Sequence, residues 1–268
     1  MIAAALTSAV LAAPAVTPAN PVVWAVGDGA NGSRAAKRVV RMIARDRPSR
    51  FLYLGDVYPD GSAANYRSGY RTVYGPLDRI TAPTPGNHEW GQRQSGYFPY
   101  WRAARGRSLA PWYRFSLGGW EILSLNSQAP HGPGSAQVRW LKGALRSGGD
   151  CRLAFWHRPR FSAGRVHGDQ PDVAPLWDAL RGRARLVVNG HEHDMQRFKA
   201  RDGLTEYVSG AGGHVRYVLR RDSRLAFGRS DRDGALRIEL ESGVARLQFR
   251  DTAGRVLDRS EVRCTPAG

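Results

Sequence analysis

Lysine is almost missing from this 268-residue chain. Only three of its forty basic residues are Lys (Lys37, Lys142, Lys199), and the rest are Arg. Against 23 acidic residues they leave a formal charge of +17. A field of this sign draws anionic partners such as phosphate esters, nucleic acid or anionic surfaces. The arginines are scattered and form no block, unlike the dense basic arms that hold nucleic acid, and no nucleic-acid-binding motif accompanies them. The simplest account is a preference for Arg on solvated faces. Cysteine is also scarce. Cys151 and Cys264 belong to no C-x-x-C pair, which argues against thiolate redox chemistry. Each borders a strand-like segment, so a bridge tying the C-terminal tail to the core and two unrelated small residues both stay open.

Long apolar runs are missing apart from residues 2–13, an uncharged Ala-rich stretch before Ala13-Pro14-Ala15. Such a run is too short to span a bilayer and lacks the positive start of a usual signal peptide, but its length and small-residue end fit one. Residues 1–19 are read as a signal peptide or disordered tail, with a secreted or cell-envelope location expected and a cytoplasmic one as the alternative. Residues 20–268 are read as one domain, since neither an internal repeat nor a composition break divides them.

What is present is a series of short apolar strands. Residues 21–26 (PVVWAV) suit a strand buried on both faces. Ser33 is placed to cap a helix carrying Ala35, Ala36, Val39, Val40 and Ile43, which Pro48 stops. Residues 51–54 give the next strand, completing a βαβ unit. Residues 61–74 read as helical, with Tyr66, Tyr70 and Tyr74 packing on one side. Residues 80–84 form a short third strand, and Pro85-Gly86 predicts a tight turn with positive φ at Gly86. Residues 90–111 read as an aromatic-rich loop with Arg102, Arg105 and Arg107. Gly118-Gly119 centres a hairpin, and Ser135 starts a helix with Val138, Leu141 and Leu145 on its apolar side. Residues 153–156 and 185–188 are further strands, with a Gly-containing loop at 162–170 and a helix at 173–180 between them. Residues 205–208, 235–240, 244–249 and 256–262 look like antiparallel strands.

Five of these strands are each followed by a ligand-type residue: Asp28, Asp56, Asn87, His157, and the pair His191/His193. Parallel strands bring their carboxyl ends to one rim, where α/β sheets bind ligands. Oxygen and nitrogen donors without thiolate suit Zn, Mn or Fe. A lone Asp after a strand is ordinarily a cap, but five such positions on one rim are hard to explain by caps and turns.

Gly27-Asp28, Gly55-Asp56-x-Tyr58, Gly86-Asn87-His88-Glu89, His157-x-Pro159 and Gly190-His191-x-His193 follow in an order that resembles the calcineurin-like metallophosphoesterases. In detail they are most similar to the purple acid phosphatase branch, over about residues 21–213. The resemblance implies a β-sandwich flanked by helices, in α-β-β-α layers, holding two di- or trivalent metal ions, iron with zinc or manganese. It implies that Asp56 bridges both ions. Asp28 and His193 would complete one site, with Tyr58 a phenolate ligand, and Asn87, His157 and His191 the other. His88 would face the substrate phosphate. His167 sits loosely where substrate-contacting histidines occur, and a solvated loop histidine is the alternative. Two departures stand out. Ala30 replaces the histidine most of the superfamily has two residues after the first Asp, and Tyr58 lies two residues after Asp56 where the purple branch has three. Either Tyr58 reaches through a shifted loop, implying ferric iron and a charge-transfer colour, or it packs without coordinating.

The chemistry implied is hydrolysis of small phosphate monoesters. Two cations lower the pKa of a bridging water and clamp the attacking and leaving oxygens of an in-line displacement. Protonated His88 would assist the leaving alkoxide. Glu89 would either hold the His88 ring or face solvent, and Arg158 could hold phosphate charge. A phosphodiesterase or nuclease of the same fold is the alternative activity. A non-catalytic Arg-rich binder of polyanions is the alternative class, with salt-dependent binding that survives loss of the metal ligands.

Overall fold

The computed structural model describes residues 20–267. The expectation for residues 1–19 lies outside the described residues. Two β-sheets pack face to face. The first holds six strands in the order β13-β12-β11-β1-β2-β3: β1 (Val22–Val26), β2 (Arg50–Tyr53), β3 (Thr81–Pro83), β11 (Gly234–Glu241), β12 (Val244–Asp251) and β13 (Val256–Arg263). The second holds seven in the order β10-β8-β9-β7-β6-β5-β4: β4 (Tyr113–Leu117), β5 (Trp120–Ser124), β6 (Arg152–Phe155), β7 (Leu186–Asn189), β8 (Met195–Phe198), β9 (Thr205–Ser209) and β10 (Leu225–Arg229). Alternation along each strand sorts the side chains into layers. Val23, Ala25 and Leu52 meet Leu153, Phe155, Leu186 and Val188 between the sheets. Trp24, Val26, Phe51 and Tyr53 face outward, under the helix Arg34–Arg45 and a cluster of Tyr66, Tyr70, Tyr74 and Trp101. Leu123, Ala154, Val187 and Val208 pack the other outer face against helices Ala136–Ala144 and Ala174–Leu180. These are the expected α-β-β-α layers in one domain.

Local signals were followed closely where short-range chemistry sets the geometry. Ser33 Oγ accepts from Ala36 N at 3.1 Å, and Ser135 Oγ from Val138 N at 3.2 Å, each opening its helix. Gly118 and Gly119 have φ of 59° and 77°, as a primed hairpin turn requires. Cys151 and Cys264 are disulfide-bonded. The bond joins the start of β6 to the end of β13, stapling the two sheets at the end away from the rim described below.

Residues 63–74 are helical as read, one unbroken run in which a π-helical turn Tyr66–Tyr70 sits between Ala63–Asn65 and Arg71–Tyr74, and the three tyrosines are buried together. Other expectations are corrected. Residues 90–111 are not simply a loop, because Tyr97–Arg105 is a helix burying Tyr97 and Trp101. Residues 205–208 do not form an antiparallel partner of the last strands. As β9 they lie in the other sheet, antiparallel to β8 on one side and parallel to β7 on the other, Leu186 opposite Thr205. The strands β8 and β10 have no counterpart in the sequence reading: β8 is a short strand close behind the histidine pair, and β10 carries a glycine and an arginine among its five residues.

Candidate metal centre

The carboxyl ends of β1, β2 and β3 in one sheet and of β6 and β7 in the other converge on a single rim. Two hydrogen bonds lock the two sheets there: Gly27 N donates to Ser209 O at 2.9 Å, and the Ser209 hydroxyl to Ala25 O at 2.9 Å. The loops leaving β1, β2 and β7 turn on left-handed residues that are not glycine. Asp28, Asp56 and His191 have φ of 62°, 69° and 73°. Such backbone costs roughly 1–3 kcal/mol per residue and needs outside support. Each has it through its own N–H. Asp28 N donates to Gly55 O at 3.0 Å, Asp56 N to the Glu89 carboxylate at 3.0 and 3.1 Å, and His191 N to Asp28 Oδ2 at 2.8 Å.

Gly86 is a correction. Its φ is −98°, so no positive φ is required there. Glycine is needed because a Cβ would collide with the Asp56 carboxylate. Gly190 is similar, since a Cβ would lie 2.7 Å from Asp28 Oδ2.

The candidate donors form two groups around Asp56. On one side, Tyr58 Oη lies 2.9 Å from His193 Nε2, 3.3 Å from Asp56 Oδ2 and 3.4 Å from Asp28 Oδ1. On the other, His157 Nε2 lies 3.0 Å from Asn87 Oδ1, 3.1 Å from His191 Nδ1 and 3.4 Å from Asp56 Oδ1. Ligand atoms of Asp56, His157 and His191 all fall within 4.8 Å of one another. Two donors each about 2.1 Å from one cation stand about 3 Å apart, so these spacings fit a metal without rearrangement. The ring orientation fits as well. A carbonyl can only accept, so the Nδ1 atoms of His157 and His193, 2.8 Å from Leu54 O and 2.5 Å from Val215 O, carry the protons. Their Nε2 lone pairs then point into the cluster, the outer support that metal-ligating histidine needs.

The electrostatics point the same way. Asp28, Asp56 and Glu89 are buried together with no lysine or arginine bonded to them. Burial, with Asp56 and Glu89 close by, holds the Asp28 carboxyl well above its ordinary range despite His157. Burial also pushes the Asp56 carboxyl up, but His157 and His88 outweigh it and hold it low. Burial opposes charge on His157, yet Asp56, Asp28 and Glu89 outweigh it and raise it to about 9. Burial lowers His191 to about 2, aided by His157 and His167, and lowers His193 to about 4, leaving both as neutral donors. Burial and the charges of Asp28 and Asp56 keep the Tyr58 phenol neutral.

The flanking residues divide. His88 Nδ1 donates to Pro59 O at 2.5 Å, its ring is 4.5 Å from that of Tyr58, and its Nε2 lies 3.8 Å from Asp56 Oδ2 on a partly exposed side chain. The His167 ring stacks on His191 at 4.0 Å. Arg158 is committed elsewhere: its guanidinium donates to Ser127 O, Asp172 Oδ2 and Gln170 Oε1. Glu89 neither holds His88 nor faces solvent. It is fully buried and accepts from Asp56 N and Val57 N. Glu192, which received no role from the sequence, is its counterpart, accepting from His167 N and Gly168 N.

His214 and Tyr217 escaped the sequence reading. The His214 ring stacks on Tyr58 at 4.0 Å and the Tyr217 ring on His193 at 3.9 Å. The signal was available, because His214 follows a strand and a glycine-rich run (Gly210-Ala211-Gly212-Gly213), the same pattern as the other motifs.

The model of the calcineurin-like phosphoesterase family matches residues 21–195. No curated protein matches the chain. Among solved structures, GAP50, the anchor in the inner membrane complex of Plasmodium, superposes with a TM-score of 0.72 at 14% identity, covering 91% of this chain and 89% of that one. The purple acid phosphatase PPD1 from yellow lupin (Lupinus luteus) seeds gives 0.70 at 14% identity over 91% of this chain, which spans only 53% of that protein. A dimetal phosphatase from Danio rerio gives 0.61 at 14% identity, covering 91% and 99%. At such identities these likenesses speak for the fold.

Proposed function

Since this chain belongs to the calcineurin-like phosphoesterase family, we propose that it is a binuclear metal-dependent hydrolase of phosphate monoesters. The observation that carries the reading is the division of Asp56. Its Oδ2 faces Tyr58, near His193 and Asp28, while its Oδ1 faces His157, near Asn87 and His191. Asp28, Asp56, Tyr58 and His193 would hold one ion, and Asp56, Asn87, His157 and His191 the other. Iron paired with zinc or manganese suits this set of hard oxygen and imidazole donors. Bound there, two cations supply Lewis acidity and an acidified water for in-line displacement at phosphorus.

The protein's own groups supply the rest. His88 Nε2, free of the carbonyl that holds Nδ1, would hold a proton for the departing alkoxide oxygen. Asn87 is exposed at the mouth, where its amide would meet the phosphate. His167, stacked on His191, would meet the substrate from the opposite wall. Arg158 serves as a structural tie, since its bonds to Asp172 and Ser127 hold the loops beside His157. The Cys151–Cys264 disulfide supports a secreted or cell-envelope location, where such bonds persist.

The test is turnover of p-nitrophenyl phosphate by the metal-replenished protein, with elemental analysis and an Asp56→Ala control. Metal-dependent turnover that the control lacks supports the reading, and no turnover sinks it. Bis-p-nitrophenyl phosphate and single-stranded DNA, tried alongside, would reveal a phosphodiesterase or nuclease instead.

A further inference from the structure

Three large apolar side chains are exposed among the described residues: Val166 at 54%, Val215 at 69% and Val218 at 62%. Isolated exposed aliphatics are ordinary, but these three are not dispersed. They lie on two segments that meet beside the candidate metal centre. Arg165 N donates to Val218 O at 3.0 Å, and Arg220 N to Ala163 O at 2.9 Å. Both segments are tied to the centre's framework. Val215 O accepts from His193 Nδ1, Tyr217 N donates to His193 O at 3.3 Å, and His167 N, next to Val166, donates to Glu192. Tyr217 and His167, the chain neighbours of Val218 and Val166, each stack a ring on a candidate ligand. The other side of the mouth is polar, with Asn87 exposed and His88 partly so.

We propose that the preferred substrate is an amphiphilic phosphate monoester, whose phosphate enters the centre while its aliphatic leaving group lies along the rim of Val166, Val215 and Val218. This rests on the phosphomonoesterase reading above and narrows its substrate class. The charge distribution suits the occupant. Arg165, Arg220 and Arg221 are exposed around the valines, so the rim attracts an anion while offering the chain behind it apolar contact. Three valines form a contact for one hydrocarbon chain, not an anchor for a bilayer. The reaction balances without a further reagent. Water adds to phosphorus, the bond from phosphorus to the alkyl oxygen breaks, that oxygen takes a proton, and alcohol and inorganic phosphate leave.

The experiment measures kcat/KM for n-alkyl phosphates from methyl to octyl, each below its aggregation concentration, on the metal-replete full chain. Full burial of a methylene is worth about four-fold, so one-sided contact predicts roughly two-fold per added methylene. The double variant Val166→Ser with Val218→Ser should lose most of this slope and keep its rate on methyl phosphate. Calorimetric Kd values for the n-alkylphosphonates, which are not hydrolysed, should show the same slope and the same loss. A flat series, a slope the variant does not change, or a gain seen only with aggregates or vesicles overturns the inference while leaving the hydrolase reading intact. No turnover of any monoester removes both.

Discussion

The two donor groups that share Asp56 are built differently. The Tyr58 side combines a phenol and a second carboxylate with one imidazole. The His157 side combines two imidazoles with a neutral amide oxygen. The first suits the harder, more highly charged ion, and the second a divalent one. The lesson is that asymmetry comes from which strand ends face which. β1 and β2 deliver acids, β3 and β6 deliver an amide and an imidazole, and the β7 loop sends one histidine to each side.

Asp56→Ala, which removes the shared ligand, should have the largest effect. Activity should fall on the order of 10³-fold or more, beyond the range for outer-shell changes, and both metals should be depleted on elemental analysis. Single-sided variants come next. His191→Ala and His193→Ala should each lose roughly 100-fold in rate and about one of two metal equivalents. The ion retained should differ between them, and loss of both ions from either would break the distinction between the two sides. Glu89→Gln weakens the grip on Asp56 N and Val57 N without touching a ligand, so metal affinity should drop about 10- to 100-fold with unchanged donor identity. Titration with the divalent metal measures this. Tyr58→Phe should be mildest in rate, within about ten-fold, but most diagnostic. The neutral phenol becomes a phenolate only beside a cation, so iron loading should colour the parent protein and leave the variant pale. Equal visible spectra would remove Tyr58 from the ligand set.

Much of this was legible in residue types and their spacing. The helix caps Ser33 and Ser135, the Gly118-Gly119 turn and the apolar strands depend on neighbours a few residues away, and these came out as read. Glu89 did not. Its role depends on a loop 32 to 33 positions distant in sequence, and a buried carboxylate gripping two backbone N–H groups leaves no local periodicity. Gly86 was read as a turn glycine because Pro-Gly usually is one, while the actual requirement is space for the Asp56 carboxylate. The helix Tyr97–Arg105 was hidden because its aromatics face a tyrosine cluster and give no clean amphipathic stripe. The glycine-rich run before His214 is a local signal, but the contact that gives this residue its place, the ring of Tyr58, is remote in the chain.

The sequence alone determined the donor chemistry, the order in which strands present it, and the presence of two cysteines able to bridge. Those are properties of residue identity and short-range pattern. Only the tertiary structure decided that Asp28, Asp56 and His191 turn left-handed, that one sheet's acids meet the other sheet's histidines, and which ring nitrogen faces inward. Such choices are made by contacts between distant segments, as when Leu54 O, 103 residues away, fixes the proton on His157 Nδ1. No local propensity encodes a hydrogen bond whose two ends come together only after the sheets have packed.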